Sequence, residues 1–544
     1  MGSLFSHAGI DIDDVPLTST QLAAALVCGL GAFIIGRWYR DLQYLDFLPG
    51  YRQLFCPMSA LGATLPSSSW NLGLDWYWQF RETSYFNKEH DIVSIVPILS
   101  GPSFYAVGSW EVATQLLSLP KPKEYNIVFS IWGDNMFTVS GDDWKRHRRV
   151  VAPAFNNSLY SLVVEETTAL YREILHEEKW EDASSVVAPD FRRITRDLAF
   201  LIIAKCGFGF DMTWKGFKPG GEGAGDGCMD VQQALYYATD IWNVIKRMFV
   251  PKWAYYLPIP SLRKLDNTWK ALDAYLHQTA ASRSEKVVDD PEAASDFSRS
   301  SSSDVFTRLV KSVVGLGKLS LSEQELIGNV FMLMNAGHDT TGMTLCETVA
   351  LLALHQEEQQ KVYEEICAVL GDQEPTEALL KQLSYTWACV LEATRMYSPA
   401  SSLTRILPED KVVKVQRPSP KEIVLKKGTL VIIDTVSIHL NPHTFPDPLK
   451  YKPSRWIGVP ESQVTVFGTG PRACIGRKFA QLESLAFLAL LLREWRVDLA
   501  LNLDSEGPEE TREEYVERVF GKAGLNGFVF GIKSRIPIRL TRRR

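Results

Sequence analysis

The chain contains 544 residues, enough for one large domain or about two to three of ordinary size. Its net charge of −6 argues against a nucleic-acid partner, because general nucleic-acid binding requires a basic surface. The eight cysteines are scattered without a C-x-x-C pair. This distribution predicts neither a zinc site nor an iron–sulfur cluster, and it is typical of a reducing compartment.

The N-terminal segment combines an acidic stretch, an apolar run and a basic flank. Residues 1–16 are polar and acidic, and an apolar run over 22–36, extendable back to 17, is followed by two arginines. A membrane-spanning helix needs roughly 20 apolar residues, and about 17 suffice in a thin bilayer. The alternatives are a buried helix and a signal peptide, but a signal peptide carries its positive charge before the run. We predict a lumenal segment over 1–16, a single transmembrane anchor over 17–36 and a cytosolic domain after it.

A hinge is predicted over 37–60, where Leu48-Pro49-Gly50 and Cys56-Pro57 interrupt the chain after the anchor. The remaining residues, 61–544, are expected to form the main folded domain.

Trp144 and Arg148 lie four residues apart in a helical segment and therefore share one face. An indole N–H and a guanidinium on one face can both donate hydrogen bonds to a carboxylate. The neighbouring Lys145, Arg146 and Arg149 leave a second interpretation open, in which the whole charged run is a solvated basic face.

One long helix is predicted from Ser322 to Leu354, opened by a capping box. Its middle, residues 336–342, contains two glycines and two threonines, which together cost the helix roughly 1–3 kcal/mol. Thr340 can donate to the carbonyl four residues earlier, or release it and open the helix. Asp339 and Thr340 can then relay protons, whereas the alternative is a kinked helix with a solvated Asp339. A lone histidine is more often structural than a ligand, and no role is predicted for His338.

Glu392 and Arg395 lie three residues apart on one face of a helix predicted from Tyr385 to Met396, so they can form an ion pair. An isolated surface pair of this kind would contribute less than about 1 kcal/mol to stability.

Cys474 lies in a glycine-rich turn that extends from Phe467 to Gly476 and precedes a mostly apolar helix over 479–492. A soft thiolate suits iron, glycines let the backbone approach a flat macrocycle, and the N-terminus of the following helix favours negative charge on sulfur. The alternatives are an ordinary buried cysteine and a phosphate-binding loop. The phosphate loop is disfavoured because no Gly-Lys-Ser/Thr follows.

The turn, Phe-x-x-Gly-x-Arg-x-Cys-x-Gly, resembles the haem-binding loop of the cytochrome P450 family. Residues 336–341 resemble that family's oxygen-activation motif, and Trp144-x-x-x-Arg148 resembles its helix that holds a haem propionate. Glu392-x-x-Arg395 resembles its buried ion pair, which recruits a second arginine downstream. The resemblance implies the cytochrome P450 fold, mainly α with a small β-rich lobe, over 61–544, preceded by one transmembrane helix.

The resemblance also implies residue roles. Haem b would be bound with the Cys474 thiolate as the axial metal ligand. Asp339 and Thr340 would be catalytic, delivering the protons that dioxygen cleavage consumes. The residues implied to bind the cofactor are Trp144, Arg148, Arg405, Phe467, Arg472, Cys474 and Gly476. The residues of the structural lock are Glu392, Arg395 and Arg455. The positions expected to line the substrate cavity are Met332, Asn335, Ala336, Ala400, Ser401 and Ser402.

The implied activity is that of a membrane-anchored monooxygenase of microsomal, fungal type. It would insert one atom of O2 into a lipophilic molecule, in terpenoid-like secondary metabolism or xenobiotic oxidation. Electrons would come from NADPH through a separate NADPH–cytochrome P450 reductase, with cytochrome b5 as a second donor, at the endoplasmic reticulum. The rivals are a haem-thiolate isomerase or dehydratase that does not use O2, and a non-enzymatic haem sensor or carrier. The intact Asp339-Thr340 pair argues against the isomerase.

Overall fold

The computed structural model describes residues 19–80, 90–122, 127–215, 231–289, 304–315, 320–501, 510–527 and 529–543. The predicted lumenal segment over 1–16 lies outside these residues. The described chain is mainly helical. The helices are α1 (Ser19–Tyr44), α2 (Ala60–Thr64), α3 (Trp76–Gln79), α4 (Trp110–Leu116), α5 (Gly141–Val151), α6 (Asn157–Glu177), α7 (Phe191–Ile202), α8 (Val231–Thr239), α9 (Ile241–Phe249), α10 (Pro260–Asp289), α11 (Val305–Gly315), α12 (Glu323–Leu354), α13 (Gln356–Leu370), α14 (Glu377–Leu380), α15 (Ser384–Met396), α16 (Thr435–His439), α17 (Arg477–Glu494) and α18 (Arg512–Phe520).

Short strands form small sheets beside the helices. The strands are β1 (Gly50–Tyr51), β2 (Ile92–Ile95), β3 (Phe104–Val107), β4 (Ser185–Ala188), β5 (Ser402–Ile406), β6 (Lys411–Val415), β7 (Lys421–Leu425), β8 (Leu430–Asp434), β9 (Trp495–Leu499), β10 (Ala523–Asn526), β11 (Val529–Ile532) and β12 (Ile538–Arg542). The largest sheet has the order β1-β2-β3-β8-β5, and a second has the order β4-β12-β9. The pairs β6-β7 and β10-β11 are antiparallel hairpins. This architecture is the mainly α fold with a small β-rich part that the sequence predicts.

Helix α12 crosses the apolar core and begins with the predicted capping box. The Ser322 backbone N–H donates to Glu325 Oε2 at 2.8 Å, and the Glu325 N–H donates to the Ser322 hydroxyl at 3.2 Å. The helix stays continuous through residues 336–342, so the local opening considered from the sequence is not formed. The Thr340 hydroxyl instead donates to the Ala336 carbonyl at 2.8 Å, which satisfies it within the helix.

Gly342 lets α7 pack unusually close to α12. A Cβ atom at this position would lie 2.7 Å from the Arg196 Cα, a distance shorter than carbon atoms tolerate. The glycine that weakens the helix locally is therefore what brings the α7 backbone against it. This close approach brings the side chain of Arg196 within reach of Asp339 on α12.

Helix α1 is the one helix of the described chain that is long and apolar enough to cross a membrane, with a mean hydropathy of 1.7 over its most apolar window. It differs from the predicted boundary, because the helix runs on past residue 36 to Tyr44. Leu42 and Leu45 are buried among the residues that cover the largest sheet, and Arg37 donates to the Ile98 carbonyl at 2.7 Å. The first part of the predicted hinge over 37–60 is thus helical, because these contacts stabilise the helix as far as Tyr44.

Candidate active site

The Cys474 turn is held by its own backbone. The Cys474 N–H donates to the Phe467 carbonyl at 2.9 Å, which closes the turn. Gly468 and Gly470 both have φ of 71°, a left-handed conformation that glycine adopts without steric cost. Helix α17 begins directly afterwards, with Gly476 as its N-cap residue. The sequence of the turn therefore fixes the position of the sulfur locally.

The side chain of Cys474 opens into an apolar cavity between its turn, the start of α17 and the middle of α12. The cavity has a volume of about 100 Å³. On the α12 side it is lined by Ala336, Gly337, Thr340 and Thr341. Further apolar lining comes from Phe155, Ile203, Phe208, Val305, Leu333, Phe467, Ile475, Phe479 and Ala480.

The electrostatic environment of the Cys474 sulfur is mixed. Burial raises the pKa of the thiol, whereas the Gly476 backbone N–H and the charges of Arg148 and Arg477 lower it. Donors and cations next to a cysteine favour its thiolate, which is the form that binds metals.

Four cations, Lys121, Arg148, Arg405 and Arg472, are close enough to influence one another, and Arg148 is also coupled to Cys474. Burial lowers the pKa of Arg405 to about 10, and burial together with Arg405 and Arg148 lowers that of Arg472 to about 10. Burial, Arg405 and Arg472 lower the pKa of Lys121 to about 7. Within the described residues none of the four is paired with a carboxylate, so the cluster is suited to an anionic ligand.

Lys121 is the member of this cluster that sequence reasoning missed. It lies 23 positions before Trp144 outside any motif, and only its contacts reveal it: its ammonium donates to the Phe137 carbonyl at 2.6 Å and lies 3.6 Å from the Phe137 ring centre. No pattern in the sequence could have placed it beside Arg405 and Arg472.

Helix α5 divides its charged residues between two sides, and the propionate-binding role of Trp144 and Arg148 stays a prediction. The Arg472 guanidinium lies 4.4 Å from the centre of the Trp144 ring and donates to the Val139 carbonyl at 2.9 Å. Arg146 instead pairs with Glu325 at 2.6 Å, tying α5 to the start of α12. Lys145 is exposed and pairs with Asp142. Trp144 and Arg148 thus lie with the cation cluster, and part of the charged run is a solvated face.

A single thiol that faces apolar walls, together with a cation cluster whose member Arg148 is coupled to it, matches the chemistry of haem, an apolar macrocycle with an iron centre and two propionate carboxylates. The residues of the site therefore fit this cofactor. Arg148, Arg405, Arg472 and Lys121 would neutralise the propionates.

Thr340 and Asp339 point to different sides of α12. Thr340 lines the cavity with Cys474, whereas Asp339 faces α7, where Arg196 binds its Oδ1 through Nε at 2.8 Å and Nη2 at 2.7 Å. Asp339 also lines a separate polar pocket with Arg192, Arg196 and Asp240. The Arg196 partner was not predicted, because it lies 143 positions away on another helix.

The lock residues lie in one buried network. Glu392 accepts from Arg395 Nε and Nη2 at 2.9 Å each and from Arg455 Nε at 3.0 Å. It also accepts from the Trp456 indole at 2.9 Å and from the Lys452 backbone at 3.0 Å. The side chains of Glu392 and Arg395 are fully buried. This pair is therefore not the isolated surface pair that the sequence left possible.

The positions predicted to line the substrate cavity are dispersed. Ala336 lines the Cys474 cavity, while Met332 and Asn335 are not among its lining residues. Ser401 is buried, Ala400 is exposed, and the Ser402 hydroxyl accepts a hydrogen bond from the buried Tyr77 at 3.1 Å. The substrate-lining set therefore stays a prediction.

Comparison with known proteins shows the family of the chain. The family model for cytochrome P450 matches residues 120–514. Cytochrome P450 monooxygenase 124 of Postia placenta is 30% identical over 486 residues, covering 86% of this chain and 89% of the relative. The phomenoic acid biosynthesis cluster cytochrome P450 monooxygenase of Leptosphaeria maculans is 28% identical over 436 residues, covering 71% of this chain and 72% of the relative. A crystal structure of a cytochrome P450 superposes with a TM-score of 0.62 at 18% identity, covering 84% of this chain and 96% of that one.

The fold and site define a haem-thiolate protein, and the chain belongs to the cytochrome P450 family. It is a monooxygenase whose cofactor is haem ligated by a cysteine thiolate, which confirms the family, fold, enzyme class and cofactor predicted from the sequence.

Proposed function

We propose that this monooxygenase hydroxylates a lipophilic small molecule at a haem bound through Cys474. The observation that carries the proposal is the cavity in which the Cys474 sulfur and the Thr340 hydroxyl share apolar walls, with the charge of Arg148 coupled to the sulfur. When bound, haem supplies dioxygen activation and oxidation of a C–H bond. The protein supplies the ligand, the protons and a dry cavity.

The cofactor-binding residues divide by chemistry. Cys474 would provide the thiolate, steadied by the Gly476 N–H. Trp144, Arg148, Arg405 and Arg472 would hold the propionates, and Lys121 joins them as a fourth cation. Phe467, which stacks on Trp387 with ring centres 5.9 Å apart, would form an apolar wall next to the sulfur.

Proton delivery would use Asp339 and Thr340 in sequence. Asp339 opens to the polar pocket that it shares with Arg192 and Asp240, where it can exchange protons with water. Its ion pair with Arg196 must loosen before the carboxyl turns toward the cavity. The Thr340 hydroxyl then passes the proton on from Oγ1, releasing its hydrogen bond to the Ala336 carbonyl as it does so.

The apolar lining points to a lipophilic substrate. Phe155, Phe208, Val305 and Leu333 contribute hydrocarbon surface to the cavity and no charge. The name of the Leptosphaeria maculans relative refers to a biosynthetic cluster, which supports a role in secondary metabolism, with terpenoid-like compounds as the first class to test. Xenobiotic oxidation by the same cavity is the other use that its lining allows.

Membrane attachment is proposed through an anchor over 17–36, with the haem domain over 61–544 on the cytosolic side of the endoplasmic reticulum. Besides α1, a second apolar surface lies at the end of α9 and just after it, where Phe249, Trp253 and Tyr256 are 72%, 66% and 84% exposed. Large exposed apolar side chains that cluster in this way mark membrane or protein contacts. A lipid-dissolved substrate would reach such an enzyme directly from the bilayer.

Electrons are proposed to come from NADPH–cytochrome P450 reductase on the same membrane, with cytochrome b5 as a second donor. Arg146 is engaged by Glu325 and Asp143. Arg149 and Lys145 are both exposed on α5, and the pair of Lys145 with Asp142 is itself exposed, so these two cations of the run can reach an acidic partner.

The assignment of Cys474 is tested by the carbon monoxide spectrum of the reduced, haem-loaded protein. Cys474→Ser is expected to lose the thiolate signature, whereas Cys367→Ser, a partly exposed cysteine away from the cavity, is expected to keep it. A thiolate signature in Cys474→Ser would remove the assignment. NADPH consumption with reductase, coupled to a hydroxylated product from a terpenoid and aromatic library, then tests the monooxygenase activity against an O2-independent isomerase or a haem sensor.

A further inference from the structure

His338, the one residue of the oxygen-activation motif without a role so far, is fully buried between α12 and α7. Its ring meets that of Phe200 edge-on, with centres 5.5 Å apart. The next residue is Asp339, so His338 lies directly behind the carboxyl group proposed to supply protons.

The hydrogen bonds of His338 determine which nitrogen carries the hydrogen. Nδ1 lies 2.9 Å from the Met334 carbonyl oxygen, and because a carbonyl can only accept, Nδ1 must be the donor. In the neutral ring the lone pair is therefore on Nε2. Nε2 is buried without a hydrogen-bond partner among the described residues, and Asp339 Oδ1 lies 3.3 Å from it.

Nε2 and Oδ1 are within ion-pair distance but are not aligned as a hydrogen bond, so an unprotonated nitrogen here leaves a place for one proton. A proton on Nε2 would turn the orphaned nitrogen into a cation beside Oδ1, which already accepts from Arg196 Nε and Nη2. The charged groups next to the imidazole are Asp339 on its own helix and Arg196 on α7, and Arg196 holds the same Oδ1 from the other side. Burial and Arg196 lower the pKa of His338 and Asp339 raises it, so the balance responds to any movement of Arg196.

We propose that His338 is a positioning residue for proton delivery, whose Nε2 takes a proton from Asp339 and holds it out of contact with solvent. When Arg196 releases Asp339, the imidazolium is stabilised and the proton is stored as an ion pair with Oδ1. It returns through Asp339 to Thr340 when dioxygen cleavage consumes it. The step moves one proton and changes no bond between heavy atoms. This inference rests on the proposed function, because Asp339 and Thr340 use the stored proton.

The burial of His338 supports storage of a proton on Nε2 rather than direct exchange of that proton with solvent. The Asp339 side chain is 14% exposed and opens to the polar pocket, whereas the His338 side chain has no exposed surface. A proton therefore enters and leaves Nε2 through Asp339. His338 acts through this neighbour and does not line the Cys474 cavity.

The first experiment reads the imidazole itself in the resting, haem-loaded protein. Hydrogen–deuterium exchange at the His338 C2 position, followed by mass spectrometry across pH, gives the pKa of this residue without turnover. Asp339→Asn is expected to lower that pKa by about one unit or more, and Arg196→Met is expected to raise it. An unchanged pKa in both variants would overturn the proposal.

The second experiment separates proton storage from packing. His338→Asn retains a donor for the Met334 carbonyl but cannot hold a proton, and His338→Phe retains the ring against Phe200. With reductase and NADPH but no added substrate, both are expected to raise the share of electrons recovered as peroxide by about two- to tenfold, most strongly at high pH. If His338→Asn matches the wild type, or if only His338→Phe differs, the role is structural and the proposal fails. Failure of the proposed function would be visible separately, as an absent thiolate signature or absent NADPH consumption in the wild type.

Discussion

Replacing Glu392 by glutamine tests whether the buried lock stabilises the fold behind the Cys474 turn. The change keeps the size of the side chain and removes its charge. Glu392 Oε1 accepts from Arg395, Arg455 and the Lys452 backbone, while Oε2 accepts from Arg395 and the Trp456 indole. Whichever way the amide is oriented, its NH2 group must face at least two of these donors.

The expected loss of stability in Glu392→Gln follows from the burial of Glu392 and its partners. Glu392 and Arg395 are fully buried and Arg455 is 11% exposed, so water cannot replace the lost partner. Breaking a buried ion pair of this kind costs about 3–5 kcal/mol. We expect Glu392→Gln to lower the free energy of unfolding by that amount and to yield protein with little haem, because the segment carrying Arg455 leads into the Cys474 turn.

The assay is urea unfolding of the detergent-solubilised, full-length protein, followed by tryptophan fluorescence, with haem content measured from the absorption spectrum. Glu374→Gln is the matched control, since Glu374 pairs with Arg172 where the two side chains are 53% and 63% exposed. That exposed pair should contribute less than about 1 kcal/mol. A Glu392→Gln protein that is soluble, fully haem-loaded and as stable as the control variant would refute the reasoning.

Three further outcomes are expected. Thr340→Ala should divert NADPH electrons to peroxide, because the last proton donor before the cavity is lost. Thr348→Ala is the control, since it removes an equivalent hydrogen bond to the carbonyl four residues earlier and should not divert electrons. Product formation equal to the wild type in Thr340→Ala would contradict the relay. The pKa of Lys121 is lowered from 10.5 to about 7 without a bound anion, and propionates would restore its charge. Haem binding should therefore take up a proton, and haem affinity should fall as pH rises from 7 to 10.5. In haem titrations of the cofactor-free protein, Lys121→Met should make the affinity depend less on pH. An unchanged pH dependence would exclude Lys121 from the site. Gly342→Ala should force α7 away from α12, because the added Cβ would lie 2.7 Å from the Arg196 Cα. The free energy of unfolding in urea should fall by about 1–3 kcal/mol. An unchanged free energy of unfolding would show that the two helices separate without cost.

The sequence by itself determined the parts of the site that are built from neighbouring residues. The Cys474 turn follows from glycines at positions with positive φ, the capping box of α12 from Ser322 and Glu325, and the Glu392–Arg395 pair from their spacing on one helix turn. Each of these depends on backbone geometry over a few positions, which is the same wherever the segment lies in the fold.

Only the tertiary structure decided how distant segments meet. It placed Lys121 beside Arg405 and Arg472, and it turned Asp339 away from the cavity to Arg196. It also set His338 Nε2 3.3 Å from Oδ1 and packed Leu42 and Leu45, at the end of α1, against the residues that cover the largest sheet. These contacts join residues on separate elements whose approach is set by packing, such as the fit of the α7 backbone against Gly342. Close packing fixes such distances to within a few tenths of an ångström, and no local pattern in the chain encodes them.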